Sequence, residues 1–342
     1  MPDGSPVLAW ANEPAGGATM QTAVWKPSGC DGTWEQMGAP VADAYFPALA
    51  VVPSTGQTVR ASVRSTTPET IVVERWNGST FQAMGNPFTT SGNEIRSPRL
   101  AIDASGAVIV AWADSFASSN ARVRAARWDG AAWTDISGSG GVLGAFLYSG
   151  TPPVLSIATT PAGTPVVAFA TTGFATLVAK YGSGTSWSAL GPPPAMPIGT
   201  GGVNGPIVAI NGAGDPFVIS MSRTMASVYR ASVARFDGTN WQAVGDAPGT
   251  GYSDVEHNMA IAPDGAPVVV IGGRAVLGSR ERLSFYRRAG GAWQALPSPT
   301  DGAPAAADES SPIIAVGAGN LIAVWMHAVG GASQTRAART RL

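Results

Sequence analysis

The chain has 342 residues, 13% charged and 45% hydrophobic, with 43 glycines, 27 prolines and a formal charge of −1. A nucleic-acid partner is excluded, because phosphate binding needs clustered Lys and Arg. The only lysines are Lys26 and Lys180, the arginines are dispersed, and only the short C-terminal "TRAARTRL" is locally basic.

No run of about 18 apolar residues occurs, so no membrane span is expected. The single cysteine, Cys30, allows no intrachain disulfide and reads as an inert thiol in a strand turn. The opening "MPDGSPVLAW" has neither a basic stretch nor an apolar leader core. The lysine-poor, Ala/Gly/Ser/Thr/Pro-rich composition points to an extracellular or periplasmic protein whose leader is absent from this chain.

In chain order, a glycine before an apolar run recurs as "GSPVLAW", "GQTVRAS", "GAVIVAW", "GTPVVAF", "GDPFVIS", "GAPVVVI" and "GNLIAVW". The anchors are Gly4, Gly56, Gly106, Gly163, Gly214, Gly265 and Gly319, spaced by 52, 50, 57, 51, 51 and 54 residues. A period near 50 is the signature of propeller blades. The third unit resolves into strand a "PRLAI", turn "DASG", strand b "AVIVAW", loop "ADSFASSNA", strand c "RVRAARW", a two-residue "DG" turn and strand d "AAWTDI". These readings predict an all-β propeller of four-stranded antiparallel blades, seven units in one domain over residues 1–342. The first unit begins inside its a–b turn and lacks strand a. The seventh stops after strand c and lacks strand d.

Strand d carries Trp34, Phe81, Trp133, Trp187, Trp241 and Trp293 at one repeat position. Large aromatics there fill the wedge between neighbouring blades, so Trp133, Trp187 and Trp241 are expected to be largely buried. Ligand stacking is the alternative use of such faces.

The a–b and c–d turns are short and uniform, whereas the b–c loops and d–a crossings are longer and variable and share one face. Variable loops on a rigid scaffold are where ligands bind. The crossings read "DAYFP", "NEIRSP", "LYSGTPP", "GVNGP", "DVEHN" and "DESSP", which gather Asp43, Glu94, Asn204, Asp254, Glu256, Asn258, Asp308 and Glu309. Propeller geometry is expected to bring Glu94, Arg96, Glu256, His257 and Asp308 toward one channel mouth. No cofactor is implied, although carboxylates at that mouth leave room for a cation. His257 beside Glu256 allows an acid–base pair, and His327 lies at the exit of the last strand b.

"RSPRLAIDASGAVIVAWAD", Arg96 to Asp114, resembles the opening blade of sialidases, and turns such as "SGCDGTW" and "GSGTSW" sit where those proteins carry the Asp-box, Ser-x-Asp-x-Gly-x-Thr-Trp. The resemblance implies a six-bladed catalytic propeller with a carboxylate-binding arginine cluster, a tyrosine nucleophile paired with a glutamate, and an aspartate acid. Arg96 matches the first arginine, with Arg223 and Arg274 as candidates for the others, Asp114 near the end of strand b, and Tyr45 and Tyr252 near the rim. Over almost the whole chain the unit "P-x-L-A-h-D-x-x-G-x-P-h-V-A-W … h-x-R-W-x-G-x-x-W-x-x-h-G" (h, apolar) is similar to bacterial repeat propellers, whose seven-bladed architectural relatives include lectins.

The leading expectation is a non-catalytic binding module for carbohydrate. Its ligand-binding residues are drawn from Asp43, Tyr45, Glu94, Arg96, Asp114, Arg223, Asp254, Glu256, His257, Arg274 and Asp308. A protein-interaction scaffold and a sialidase-like glycoside hydrolase are the alternatives. The second position after strand b varies as Asn12, Arg64, Asp114, Thr171, Ser222, Gly273 and His327, which favours one asymmetric site over several identical ones.

Overall fold

The structure, a computed structural model, describes residues 5–12, 17–28, 31–86, 88–89, 94–115, 121–144, 155–171, 176–191, 205–223, 229–246, 255–273, 281–300, 307–317, 319–329 and 332–342. Cys30, Asn204, Tyr252, Asp254 and Arg274 lie outside the described residues, as does the side chain of Arg223. The chain packs as two compact units, Met1–Val167 with Ala179–Ala189, and Ala168–Val178 with Leu190–Leu342.

In the first unit, sheet one holds β1 (Val7–Asn12), β2 (Thr19–Ser28) and β3 (Asp31–Gln36), with β4 (Val41–Ala42) paired to β2. Sheet two holds β5 (Ala44–Val51), β6 (Thr58–Arg64), β7 (Thr70–Trp76) and β8 (Phe81–Ala83), with β9 (Phe88–Thr89) paired to β7. Sheet three is β10 (Glu94–Ile102), β11 (Val108–Ser115), β12 (Ala121–Trp128) and β13 (Trp133–Asp135). Sheet four, β14 (Leu155–Thr159), β15 (Pro165–Ala170), β16 (Thr176–Tyr181) and β17 (Trp187–Ala189), contributes strands to both units.

The second unit adds sheet five, β18 (Ile207–Ile210), β19 (Pro216–Arg223), β20 (Tyr229–Phe236) and β21 (Trp241–Asp246). Sheet six is β22 (Val255–Ile261), β23 (Pro267–Gly273), β24 (Arg282–Ala289) and β25 (Ala292–Leu296). Sheet seven has three strands, β26 (Asp308–Gly317), β27 (Asn320–Val329) and β28 (Ala332–Arg341). Each sheet is one antiparallel blade in sequence order, and seven in succession make this an all-β seven-bladed propeller. The six described anchor glycines all have positive φ, from 69° at Gly56 to 92° at Gly214, a conformation that costs glycine little.

Strand b forms the heart of each blade because it is covered on both faces. Along β23, Val269 and Ile271 join a cluster with Ile219 and Val233 of the fifth blade, while the intervening Val268 and Val270 join Leu321 and Trp325 of the seventh. Alternate side chains of a strand face opposite sides, so an unbroken apolar run is what a doubly covered strand needs. Each such side chain contributes about 1.5–3 kcal/mol on burial. In the first unit Val59, Ile71, Ile95, Val108 and Val110 form the equivalent core.

The c–d connections at Asn77, Asp129 and Asp237 are longer than the two-residue turns expected, whereas in the sixth blade Ala289 pairs with Ala292 across two glycines. Asp129 N donates to Ala132 O at 3.1 Å, and Asp129 Oδ1 accepts from the backbone N–H groups of Ala131 and Ala132, closing a four-residue loop with Gly130 at φ 109°. Asn77 and Asp237 close the same loop. The longer loop places the two recurrent aromatics directly opposite each other: Trp76 against Phe81, Trp128 against Trp133, Tyr181 against Trp187 and Phe236 against Trp241. Their rings meet at 4.9–5.4 Å between centroids, tilted or edge-on.

Each aromatic pair leans on the preceding blade. Trp187 Nε1 donates to Ile136 O at 2.7 Å and Trp241 Nε1 to Gly191 O at 3.2 Å, while Trp133 Nε1 reaches Met84 O. The glycine closing the preceding strand d makes room: a Cβ on Gly85 would lie 2.9 Å from the Trp128 ring and 3.2 Å from Trp133. These tryptophans sit between blades as expected, but they are half-buried, because strand d is the outer edge of its sheet. Phe81 lacks an N–H, and the Arg60 guanidinium covers its ring at 3.7 Å.

Candidate functional site

At the turn end of the blades, charges satisfy one another. An arginine at one repeat position of strand c reaches across strand b to an acid in the a–b turn: Arg127 to Asp103, Arg235 to Asp215, and Arg287 to Asp264 at 2.6 Å. Asp103 is buried and also accepts from Ser105 N and Ala107 N, so it organises the turn itself. This end of the sheets is occupied by structural ion pairs.

At the opposite end, strand a distorts. β5, β10 and β26 each carry a bulge, between Tyr45 and Ala48, Arg96 and Arg99, and Ser310 and Ile313. The residue before proline in each bulge, Phe46, Ser97 or Ser311, is held at φ 50–53°. Non-glycine residues adopt that conformation only when surroundings impose it, and such outliers cluster at functional sites. The repeated "F-P" and "S-P" steps of the crossings are therefore bulge positions.

In the first unit, Asp43 is exposed beside Gly17 and Tyr45 is half-buried opposite Val63. Glu94 and Arg96 form an ion pair with each other at 2.8 Å. Asp114 is buried at the end of β11 with Arg124 Nε 3.9 Å away, and Arg124 also reaches Asp135 at 3.4 Å. Arg96 is the one arginine of the sialidase comparison whose side chain is described, and its partner is Glu94.

In the second unit two predicted residues, Glu256 and Asp308, come together with Glu281, Glu309 and Ser311. Ser311 N, in the strained bulge of the seventh blade, donates to Glu256 Oε2 of the sixth. Asp308 Oδ1 accepts from Glu281 N at 3.0 Å, and Glu309 N donates to Glu281 O at 3.2 Å. His257 is buried, and burial pushes its imidazole down to about 4 against an opposing pull from the Gly205 carbonyl, which neither ring nitrogen meets in hydrogen-bonding geometry. His257 and Glu256 are neighbours in sequence with different environments.

The strongest feature was not among the predicted ligand residues. Glu309 on β26 and His327 on β27 are direct cross-strand partners, and Nδ1 of His327 lies 2.7 Å from Glu309 Oε1. The two side chains are 1% and 6% exposed, and Glu309 Oε2 has no hydrogen-bond partner among the described residues. The matching cross-strand pairs in other blades are Ala44 with Arg64, Ile95 with Asp114, and Val255 with Gly273. Among these, only the seventh blade places two polar groups at this position. No group of three or more His, Cys, Asp or Glu side chains among the described residues is placed to hold a metal ion, and no helix among them is long and apolar enough to cross a membrane.

No family model matches the sequence, and no curated protein does. Solved structures show the same fold at low identity. The polysaccharide lyase Uly1 is 12% identical with a TM-score of 0.57, over 98% of this chain and 88% of its own. The Penicillium chrysogenum alpha-L-arabinanase complexed with arabinobiose is 12% identical with a TM-score of 0.55, over 87% of this chain and 93% of its own. The Hadza microbial sialidase Hz136 is 12% identical with a TM-score of 0.51, over 96% of this chain and 74% of its own. The chain thus shares its propeller fold with carbohydrate-active enzymes. Its seven sheets differ from the six blades that the sialidase resemblance implied.

Proposed function

We propose that this protein is a non-catalytic glycan-binding propeller whose ligand sits on the face of the d–a crossings and b–c loops, anchored at the strand-a entrance of the seventh blade. The observation that carries the reading is the Glu309–His327 pair. A buried carboxylate with one oxygen committed to an imidazole and the other unpaired is costly unless a partner arrives, because buried polar atoms are nearly always hydrogen-bonded. Sugar hydroxyls supply donors of the kind that oxygen lacks. Glu256 and the strained Ser311 turn adjoin the same strand, so polar groups from three strands frame the position.

The pair also matches the single asymmetric site that the variable strand-b exits favour. A sugar-bound propeller of this fold, the arabinanase with arabinobiose, supports a carbohydrate ligand class. The deciding experiment screens the intact chain on a printed oligosaccharide array beside Glu309→Gln, which keeps the side-chain shape and removes the charge. Reproducible glycan binding by the wild type that Glu309→Gln loses supports the reading. An array on which the wild type binds nothing contradicts it.

A further inference from the structure

We infer that the slot between the first and second blades binds a compact tetrahedral oxyanion, a sulfate or phosphate group, held by Arg64 and Ser62 beside Arg60. Successive side chains of β6 face opposite sides. Val59, Ala61 and Val63 pack into the apolar core shared with the third blade, so Arg60, Ser62 and Arg64 face the first, where Arg60 Nη1 donates to Thr22 Oγ1 of β2 at 3.2 Å. The residues corresponding to Arg60 and Ser62 are apolar elsewhere: Val110 and Trp112 in the third blade, Val269 and Ile271 in the sixth, Ala323 and Trp325 in the seventh. Polar side chains buried between blades are costly unless each finds a partner.

Arg60 finds its partners within the protein. Its Nε donates to Glu74 Oε2 of β7 at 2.9 Å, and its guanidinium also covers the Phe81 ring. Arg64 does not. Its side chain is only 15% exposed, and its one side-chain hydrogen bond among the described residues runs from Nη2 to the same Glu74 oxygen at 3.3 Å, which leaves Nε and Nη1 uncommitted. Two guanidinium charges thus share one carboxylate, and the surplus positive charge lies where solvent and salt screen it weakly. Burial lowers the pKa of Arg64; Glu74 opposes the shift and the Arg60 charge adds to it. Asp43, tied to this end of β6 through the bond from Ser65 N to Asp43 O, is exposed and forms no ion pair with Arg64.

Ser62 stands between the two arginines on the same face, about 7 Å along the strand from each. It is fully buried, and its Oγ has no hydrogen-bond partner among the described residues. Nearly all buried polar atoms are hydrogen-bonded, so this hydroxyl is a second sign, independent of the charge surplus, of a ligand in the slot. A ligand that answers both must carry negative charge and accept from a guanidinium and a hydroxyl in different directions. A carboxylate offers two oxygens in one plane and suits a single guanidinium fork, whereas a tetrahedral oxyanion offers oxygens in three dimensions. A neutral hydroxyl would leave the charge surplus unanswered. The inference does not rest on Glu309, which belongs to the other unit.

The test is isothermal titration of the full-length protein with sodium sulfate and with sodium phosphate, at ionic strength held constant with sodium chloride. Saturable binding of at least one anion is expected. Arg64→Gln should weaken it about tenfold or more, the loss of charge-assisted hydrogen bonds, and Ser62→Ala about threefold. Ser62→Ala removes an unpaired buried hydroxyl, so its denaturant midpoint should equal or exceed that of the wild type, and it carries the test alone if Arg64→Gln does not fold. A second arm titrates glucose 6-sulfate, with glucose as the uncharged control. Tighter binding of the sulfate ester than of inorganic sulfate would identify a sulfated glycan as the source of the anion, and binding no tighter would identify the free ion. Absence of saturable binding of both inorganic anions, an affinity unchanged in either folded variant, or tighter binding of glucuronate than of sulfate would overturn the inference.

Discussion

Trp187 Nε1 donates to the carbonyl of Ile136, 2.7 Å away on the preceding blade and 51 residues earlier in the chain. The recurrent aromatic is thereby both a wedge and a hydrogen-bonded latch. Trp187→Phe is expected to retain the packing against Tyr181 and lose about 1 kcal/mol, the net worth of one hydrogen bond, and Trp187→Ala to lose about 2–4 kcal/mol, less than a fully buried aromatic. Urea denaturation of the two variants checks the split. A Trp187→Phe variant as stable as the wild type would show that the indole N–H contributes nothing.

The glycine closing strand d makes a separate prediction. Gly85 and Gly78 both have positive φ, but a Cβ at Gly85 meets the Trp128 ring at 2.9 Å, whereas one at Gly78 meets nothing within 4 Å. Gly78→Ala is expected to cost about 1 kcal/mol in backbone strain, and Gly85→Ala about 1–3 kcal/mol more from overpacking. Thermal melts of both should separate clearly.

His257 gives the molecule an acid sensitivity. Its folded value of about 4 lies below the ordinary 6.5, so between these pH values the unfolded chain binds a proton that the folded chain refuses. Stability is full above 6.5 and falls as the pH is lowered toward 4, by up to about 3 kcal/mol from this group. Denaturant titrations at pH 7.5 and 4.5 should show a smaller pH difference for His257→Gln than for the wild type. An identical difference would place the acid sensitivity elsewhere.

The Arg127–Asp103 contact should behave as a structural pair with one buried partner, Asp103. Asp103 is nearly fully buried and accepts turn N–H groups as well as the guanidinium, so Asp103→Ala is expected to cost about 2–4 kcal/mol. Arg127→Ala, removing the more exposed partner, should cost less. A double-mutant cycle with a coupling energy near zero would dissociate the pair from the turn.

The blades could be read in advance because a glycine precedes strand b in every unit, and Asn-Gly or Asp-Gly stands between aromatics in the second, third and fifth. The loop around Asp129 was misjudged by two residues because its side chain closes the turn, and a two-residue hairpin has no such cap. The Glu309–His327 pair was hidden by the bulge. Counting strands a and b outward from the Gly317–Asn320 pair gives partners only up to Ile313 and Val324. The positive φ at Ser311 then shifts the register and brings Glu309 opposite His327. A proline after a serine in a crossing was visible. The conformational consequence was not, because serine ordinarily avoids that region. Burial was equally illegible: Ile95 and Glu309 occupy the same repeat position and are both 1% exposed.

The central claim is that glycans bind at the strand-a end of the blades. It is tested most directly by one array experiment on three intact proteins: wild type, Glu309→Gln, and the c–d loop variant Asp129→Ala with Asp237→Ala. The wild type and the loop variant are expected to bind the same oligosaccharides, and Glu309→Gln to lose them while unfolding at a similar denaturant concentration. Loss in the loop variant with retention in Glu309→Gln would put the ligand at the opposite end of the blades and contradict the account.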